Sequence, residues 1–405
     1  MGMGRERLYR SHDINVLDEN SAYLGVPRSL LMENSGAAVA RVVEKEEGDV
    51  SGVRILVVAG PGNNGGDALV AARHLASRGA KVSVILLSEP ERIRTSEAQA
   101  NWAAIERMVR SVERFVARDQ RELEELAPLF GYSEVIIDGI FGTGIRGEIR
   151  EPFRTAINMI NDSSSRVYSV DVPSGVDPDT GAYSLAVKPH VTIALHGAKP
   201  FMAAPYVEVG KVYVESIGAQ PESELIAGPG DLLYARSHVG KIRSATVRGY
   251  GEAVEIALGA LREVGIDCEE GRLESGLVVE MGGVRVSDRH ELLARPGDVL
   301  VIPSEAPRPG EALSLSRKLG HPVYIVGGQD MLSDGSLEKS NWVEPPVEDL
   351  YTRGVLTALI AYFASQTPMK IYGLAAACYA VRAALRGVGS EDWGSYIERL
   401  RSLAV

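Results

Sequence analysis

At 405 residues the chain exceeds one ordinary hydrophobic core and implies two domains. Its 43 basic and 54 acidic side chains leave a net charge of -11, which argues against a general binder of nucleic acid or anionic membranes but leaves room for a local phosphate pocket. Cys268 and Cys378 have no Cys or His companions at metal-ligand spacing, no apolar run reaches the length of a membrane span, and the first residues lack the apolar core of a signal peptide. Neither a disulfide framework nor a zinc site is expected, and the expected compartment is the cytoplasm.

Apolar residues at helical spacing between Asp13 and Glu46 predict two helices ahead of the first strand. Arg54 to Ala59 (RILVVA) reads as a buried strand, followed by a glycine-rich turn, an amphipathic helix from about Asp67 to Arg78, and a second strand over Lys81 to Leu87. The pattern continues with a helix over Thr95 to Met108, a helix near Gln120, and strands at Glu134 to Asp138, Arg166 to Val172, Val191 to Leu195 and Lys211 to Glu215. Strands separated by helices predict a Rossmann-like α/β domain with a doubly wound, mostly parallel sheet over residues 1–220. After Ile217-Gly218 the strand pattern breaks, and 221–405 reads as a second, smaller α/β domain. Its expected elements are a helix over Ala253 to Val264, strands at Asp298 to Ile302 and Val323 to Val326, and apolar helices at Leu350 to Ala364 and Tyr372 to Leu385.

Three clusters carry chemistry. Gly60-Pro-Gly-Asn-Asn-Gly-Gly-Asp67 lies between a strand and a helix, where glycines permit close backbone approach and the helix start offers free N–H groups to phosphate. Asn63 and Asn64 can read an amide or coordinate a hard cation through oxygen, or simply cap the helix. Asp138 ends a buried strand and opens Asp-Gly-Ile-Phe-Gly-Thr-Gly-Ile-Arg-Gly147, with Arg146 available to phosphate. Asp171 ends the next strand within Val170-Asp-Val-Pro-Ser-Gly-Val-Asp177. Two carboxylates at neighbouring strand ends either share a cation or separate their pKa values, one becoming a general base.

Together with Met32-Glu-Asn-Ser-Gly36 and His196-Gly-Ala-Lys-Pro200, these motifs resemble, in order and approximate spacing, the NAD(P)HX epimerase family, the YjeF N-terminal domain, over about Arg7 to Gly218. The resemblance implies interconversion of the R and S hydrates of NADH and NADPH. It implies a potassium site built from Asn64, Asp138 and Ser174. It further implies substrate contacts from Asn63, Asn64, Gly65, Gly66 and Asp67, from Gly142, Thr143, Gly144, Ile145, Arg146, Gly147 and Glu148, and from Asp171, the expected acid/base group. Some relatives carry lysine at position 146; the guanidinium here stays protonated, so it can bind charge but is a poor proton shuttle.

In many relatives a ribokinase-like dehydratase follows, which removes water from the S hydrate using ADP or ATP. Residues 221–405 resemble a truncated, degenerate copy. Tyr324-Ile-Val-Gly-Gly, Asp334-Gly335 and Gly354 to Ile360 match its last strands and helix start, but its two motif glycines fall on Tyr351 and Arg353 and its catalytic aspartate on Gly354. The tail is therefore expected to be inactive. Were the alignment shifted, Asp349, Glu348 or Asp330 would supply the carboxylate.

The expected function is an NAD(P)H-hydrate epimerase acting on NADHX and NADPHX, without nucleic-acid or membrane partners, as a homodimer or higher homo-oligomer. Two alternatives stand: a bifunctional repair enzyme that also dehydrates the S form, and a non-catalytic dimerisation or ligand-sensing scaffold. An ordinary dehydrogenase is disfavoured by the glycine spacing, which is not G-x-G-x-x-G.

Overall fold

The computed structural model describes residues 7–143, 148–249, 251–274, 276–304, 306–346, 350–386 and 393–405. It divides into two units, one running to Asn15 and over Gly25–Ala219, the other comprising Val16–Leu24 and Gln220–Val405. The nine residues Val16–Leu24 therefore depart from a boundary drawn along the chain at residue 220. Helix α1 (Ser11–Tyr23) contains most of them, and Val16 is buried in the core of the second unit.

In chain order the first unit continues with α2 (Arg28–Glu47), β1 (Arg54–Ala59), α3 (Asn63–Ser77), β2 (Lys81–Leu86), α4 (Ser96–Arg107), β3 (Val112–Val116), α5 (Gln120–Glu125) and α6 (Ala127–Tyr132). There follow β4 (Val135–Gly139), α7 (Phe153–Asp162), β5 (Arg166–Val170), β6 (Val191–Leu195) and β7 (Lys211–Glu215). The seven strands form one sheet in the order β3-β2-β1-β4-β5-β6-β7, and every pairing is parallel. Both faces are covered, which is why the central strands are apolar throughout rather than alternating. Ile55, Val57 and Ala59 of β1 join one core with residues of α2, α3 and α4, whereas Leu56 and Val58 join the other with Ala156, Ile157 and Ile160 of α7.

From β1 the chain winds one way through β2 and β3, then crosses to β4 and winds the other way. The carboxyl ends of β1 and β4 thus flank the switch point at which open α/β sheets form a ligand crevice. The backbones there almost touch: Gly60 N–H donates to Gly139 O at 3.1 Å, and a Cβ on Gly60 would stand 2.0 Å from the Ile140 carbonyl oxygen.

The second unit carries α8 (Glu222–Leu225), α9 (Pro229–Arg236), β8 (Ser244–Gly249), α10 (Glu252–Glu263), β9 (Asp267–Arg272), β10 (Leu277–Met281), β11 (Val284–Ser287) and β12 (Val299–Pro303). Its remaining elements are α11 (Glu311–Leu319), β13 (Val323–Val326), β14 (Asp330–Ser333), β15 (Glu338–Asn341), α12 (Leu350–Gln366), α13 (Lys370–Leu385) and α14 (Trp393–Ala404). The sheet runs β15-β14-β13-β12-β11-β10-β8-β9 and mixes parallel and antiparallel pairs. Residues of α10, α12 and α13 form its main core with β8, β10 and β11. Among the described residues no helix is long and apolar enough to cross a membrane.

Candidate active site

Helix α3 begins at Asn63, four residues earlier than its apolar pattern predicts, so the asparagines and glycines lie inside its first turn rather than in a loop. Gly62 occupies the N-cap without a side-chain hydrogen bond. The first-turn N–H groups therefore point from an uncapped, positively polarised helix end toward the crevice, an arrangement suited to phosphate. Asn63 is exposed, Asp67 half-buried and Asn64 buried. Asn64 does not cap the helix; its Nδ2 donates to the Phe141 carbonyl at 2.9 Å. Sterics require Gly65, where a Cβ would stand 1.9 Å from the Gly60 carbonyl oxygen; at Gly66 a Cβ would meet only side chains, the movable tip of Met32 at 2.7 Å and Ala98 Cβ at 3.0 Å.

Across the crevice the Asp138 carboxylate is fully buried at the end of β4. It accepts hydrogen bonds from Ser169 Oγ at 2.7 Å, Ser174 N at 2.9 Å and Ser174 Oγ at 2.5 Å, with a longer one from Ile140 N at 3.3 Å. Burial outweighs these bonds and pushes its pKa above the usual carboxylate range. Among the described residues no cationic side chain pairs with it. The Phe141 carbonyl, which also faces Ser174 Oγ at 3.2 Å, draws Asn64, Asp138 and Ser174 into one oxygen-rich cluster. The oxygens gathered here, with one buried negative charge among them, fit a hard cation of low charge, to which Asn64 would add its Oδ1 beside the Nδ2 that bonds Phe141 O.

Asp171 follows β5 and has φ 63°, and His196 follows β6 with φ 76°. Each is the central residue of a three-residue turn: Val172 N–H donates to Val170 O at 2.7 Å, and Gly197 N–H donates to Leu195 O at 2.9 Å. Such turns with positive φ are strained in non-glycine residues, at about 1–3 kcal/mol each, and persist only where the surroundings enforce them. β5 therefore stops at Val170, short of the predicted Val172. Asp171 Oδ1 accepts from Leu195 N at 3.0 Å and from the ammonium of Lys199, which is completely buried.

Asp138 and Asp171 thus lie at the ends of paired strands, the first facing hydroxyls and the second a cation. Gly142 and Thr143 are half-buried; a Cβ on Gly142 would lie 3.1 Å from Asn64 Oδ1. Glu148 is exposed and pairs with Arg154 at 3.1 Å. Gly144, Ile145, Arg146 and Gly147 lie outside the described residues. Sequence reasoning gave no role to Ser169 or Lys199. The signal for Lys199 was a lysine four residues past the fully buried strand β6 and two before Phe201, which a core cluster buries completely.

In the second unit Gly354 is buried in α12, where a Cβ would stand 2.7 Å from Ile256 Cγ2 of α10, and Arg353 is exposed. Asp330 is fully buried: Arg382 Nε and Tyr324 OH each donate to its Oδ2 at 2.7 Å, and Gly327 N donates to its Oδ1 at 2.9 Å. Glu348 and Asp349 lie outside the described residues.

Residues 28–201 match the family model described as YjeF-related protein N-terminus. An NAD(P)H-hydrate epimerase of Cenarchaeum symbiosum is 45% identical over 210 residues, covering 51% of this chain and 93% of that protein. A bifunctional NAD(P)H-hydrate repair enzyme Nnr of Pyrobaculum aerophilum is 41% identical over 312 residues, covering 74% of this chain and 59% of that protein. Among solved structures, yeast ynu0 is 28% identical with a TM-score of 0.43, over 49% of this chain and 84% of that one. The chain spans about half the length of the bifunctional relatives it matches, from 42% to 59%.

Proposed function

The chain belongs to the NAD(P)H-hydrate epimerase family, and from that membership we propose that its first unit interconverts the R and S hydrates of NADH and NADPH. The observation that carries this reading is the asymmetry of Asp171. Its Oδ1 is held by Leu195 N–H and Lys199, while its Oδ2 accepts no hydrogen bond among the described residues and the side chain retains slight exposure. Inversion at the carbon bearing the hydroxyl breaks one of its bonds and re-forms it on the other face, either C–N as the hydroxyl proton leaves and returns or C–O as water leaves and returns, and a carboxylate with one anchored and one open oxygen can take and give back the proton either route needs. The first turn of α3 would receive a substrate phosphate.

Potassium would sit among Asn64 Oδ1, Asp138, Ser174 Oγ and the Phe141 carbonyl. When bound it would offset the buried charge of Asp138 and supply a positive centre beside the crevice. The full oxygen set, assembled from three separate motifs, favours catalysis over a scaffold, which has no use for it.

We further propose that the second unit performs no dehydration. The Pyrobaculum match is too long to end before residue 220, which supports descent from the following region of a bifunctional enzyme. Yet the position aligned with the catalytic aspartate is a glycine required by helix packing, and Asp330 is engaged in a closed buried network. The test is epimerisation of purified R-NADHX with potassium, followed by chromatography, with and without ADP or ATP. Formation of the S hydrate alone is expected; nucleotide-dependent return of NADH would overturn the second proposal, and no change beyond the spontaneous rate would overturn the first.

A further inference from the structure

Lys199 is the one completely buried lysine of the first unit's described residues, and its Nζ has three acceptors: Asp171 Oδ1, Leu195 O at 2.7 Å and Gly197 O at 3.3 Å. An ammonium has three protons, so none is left for a substrate. Leu195 and Gly197 flank His196, so one group bonds the carbonyls on both sides of the strained His196 turn and the carboxylate of the strained Asp171 turn. The Leu195 N–H closes the same circuit on Asp171 Oδ1. The chain also braces the loop from outside: Tyr9 N–H donates to Ala198 O at 2.8 Å, and Gly197 lies so near the Tyr9 ring that a Cβ there would stand 2.4 Å from it.

We propose that Lys199 is the positioning residue of the reaction, a buried clamp that locks the turns after β5 and β6 together and fixes Asp171 so that only Oδ2 faces the substrate. This rests on the reading of Asp171 as the proton-exchanging group. Lys199 does not touch the substrate and moves no proton. Arginine cannot replace it, because a planar guanidinium does not direct three protons to three acceptors around one point.

The experiment compares Lys199→Met, Asp171→Asn and the double variant for turnover of R-NADHX in the full chain, with melting curves for each. Lys199→Met is expected to lower kcat by roughly 100-fold, as small misplacements of a reacting group do. KM should stay within about threefold, because no substrate contact is lost. In the Asp171→Asn background Lys199→Met should cost nothing further, since the clamp acts through that carboxylate. Wild-type kcat in a natively melting Lys199→Met variant overturns the clamp, and so does a parallel rise in KM or an added loss in the double variant. Should Lys199→Met alone not fold, Lys199→Gln, which keeps a donor beside the carboxylate, takes its place: a lowered kcat at unchanged KM is expected, and wild-type kcat overturns the clamp. Full activity in Asp171→Asn instead overturns the assignment of Asp171 itself.

Discussion

Ser174 gives its hydroxyl proton to Asp138 at 2.5 Å while its backbone N–H donates to the other carboxylate oxygen at 2.9 Å, so one serine satisfies both oxygens of a fully buried acid. These bonds do not cancel the desolvation, and the native pKa of Asp138 lies above its ordinary value. A carboxyl whose pKa is raised by folding binds more protons in the native state than in the unfolded one. Stability therefore falls as pH rises from the unfolded range, about 3.9, through the raised value, and the penalty is complete above it. A cation seated on Asp138 would relieve that penalty. Potassium in place of tetramethylammonium at constant ionic strength should raise the melting temperature more at about pH 8 than at about pH 5, with a gain of about 1.4 kcal/mol at ten times Kd. Equal gains at both pH values would separate Asp138 from the cation.

Gly65 sets propensity against sterics. In an ordinary helix Gly→Ala stabilises by about 1 kcal/mol. Here the methyl carbon would stand 1.9 Å from the Gly60 carbonyl oxygen, a backbone atom that cannot rotate away. The clash should win, and Gly65→Ala should destabilise by about 2–3 kcal/mol in urea denaturation and displace the start of α3. A variant as stable as the parent would mean that the β1–α3 turn can relax, and the close approach would lose its structural meaning.

The parallel core of the first unit was legible because burial on both faces leaves continuous apolar runs such as RILVVA in β1. Edge strand β3 was not, since VERFV is half-exposed and carries two charges that suit an edge but hide the strand. The strand-end acids Asp138 and Asp171 were readable from motif position, and so was Ser174 beside Asp138, whereas the partners Ser169 and Lys199 were not. Ser169 and Lys199 acquire meaning only through the register of β4 on β5 and the fold of the loop after β6, which no local pattern encodes. In the second unit short strands of four to six residues, many paired antiparallel, left too few positions for a period to emerge.

The Asp330–Arg382 pair separates a structural carboxylate from a catalytic one. Both side chains are buried, and Arg382 also donates to Gly327 O at 3.0 Å and Pro345 O at 3.1 Å. Removing one partner leaves the other charge uncompensated, at about 3–5 kcal/mol. Asp330→Ala should therefore lower the stability of the second unit by that amount, as read from proteolysis of its helices. A natively stable variant that had lost a nucleotide-dependent activity would assign Asp330 to catalysis instead.

Gly354 offers the sharpest test of the proposal that the second unit performs no dehydration. If its active site had merely lost one base, Gly354→Asp would restore dehydration. The packing argues the reverse: the new Cβ would stand 2.7 Å from Ile256 Cγ2 and 3.1 Å from Ile256 Cβ, so α12 and α10 must separate, and an unpartnered carboxyl enters a buried position. Overpacking and desolvation together should cost about 3 kcal/mol or more. Gly354→Asp is thus expected to melt at lower temperature and to produce no NADH from S-NADHX with ADP or ATP. Combining it with Ile256→Ala makes room for the Cβ and should recover part of the stability but none of the chemistry, because exposed Arg353 stands where the motif has glycine. Dehydration by the double variant would show that the nucleotide site survived and that a single residue had silenced it.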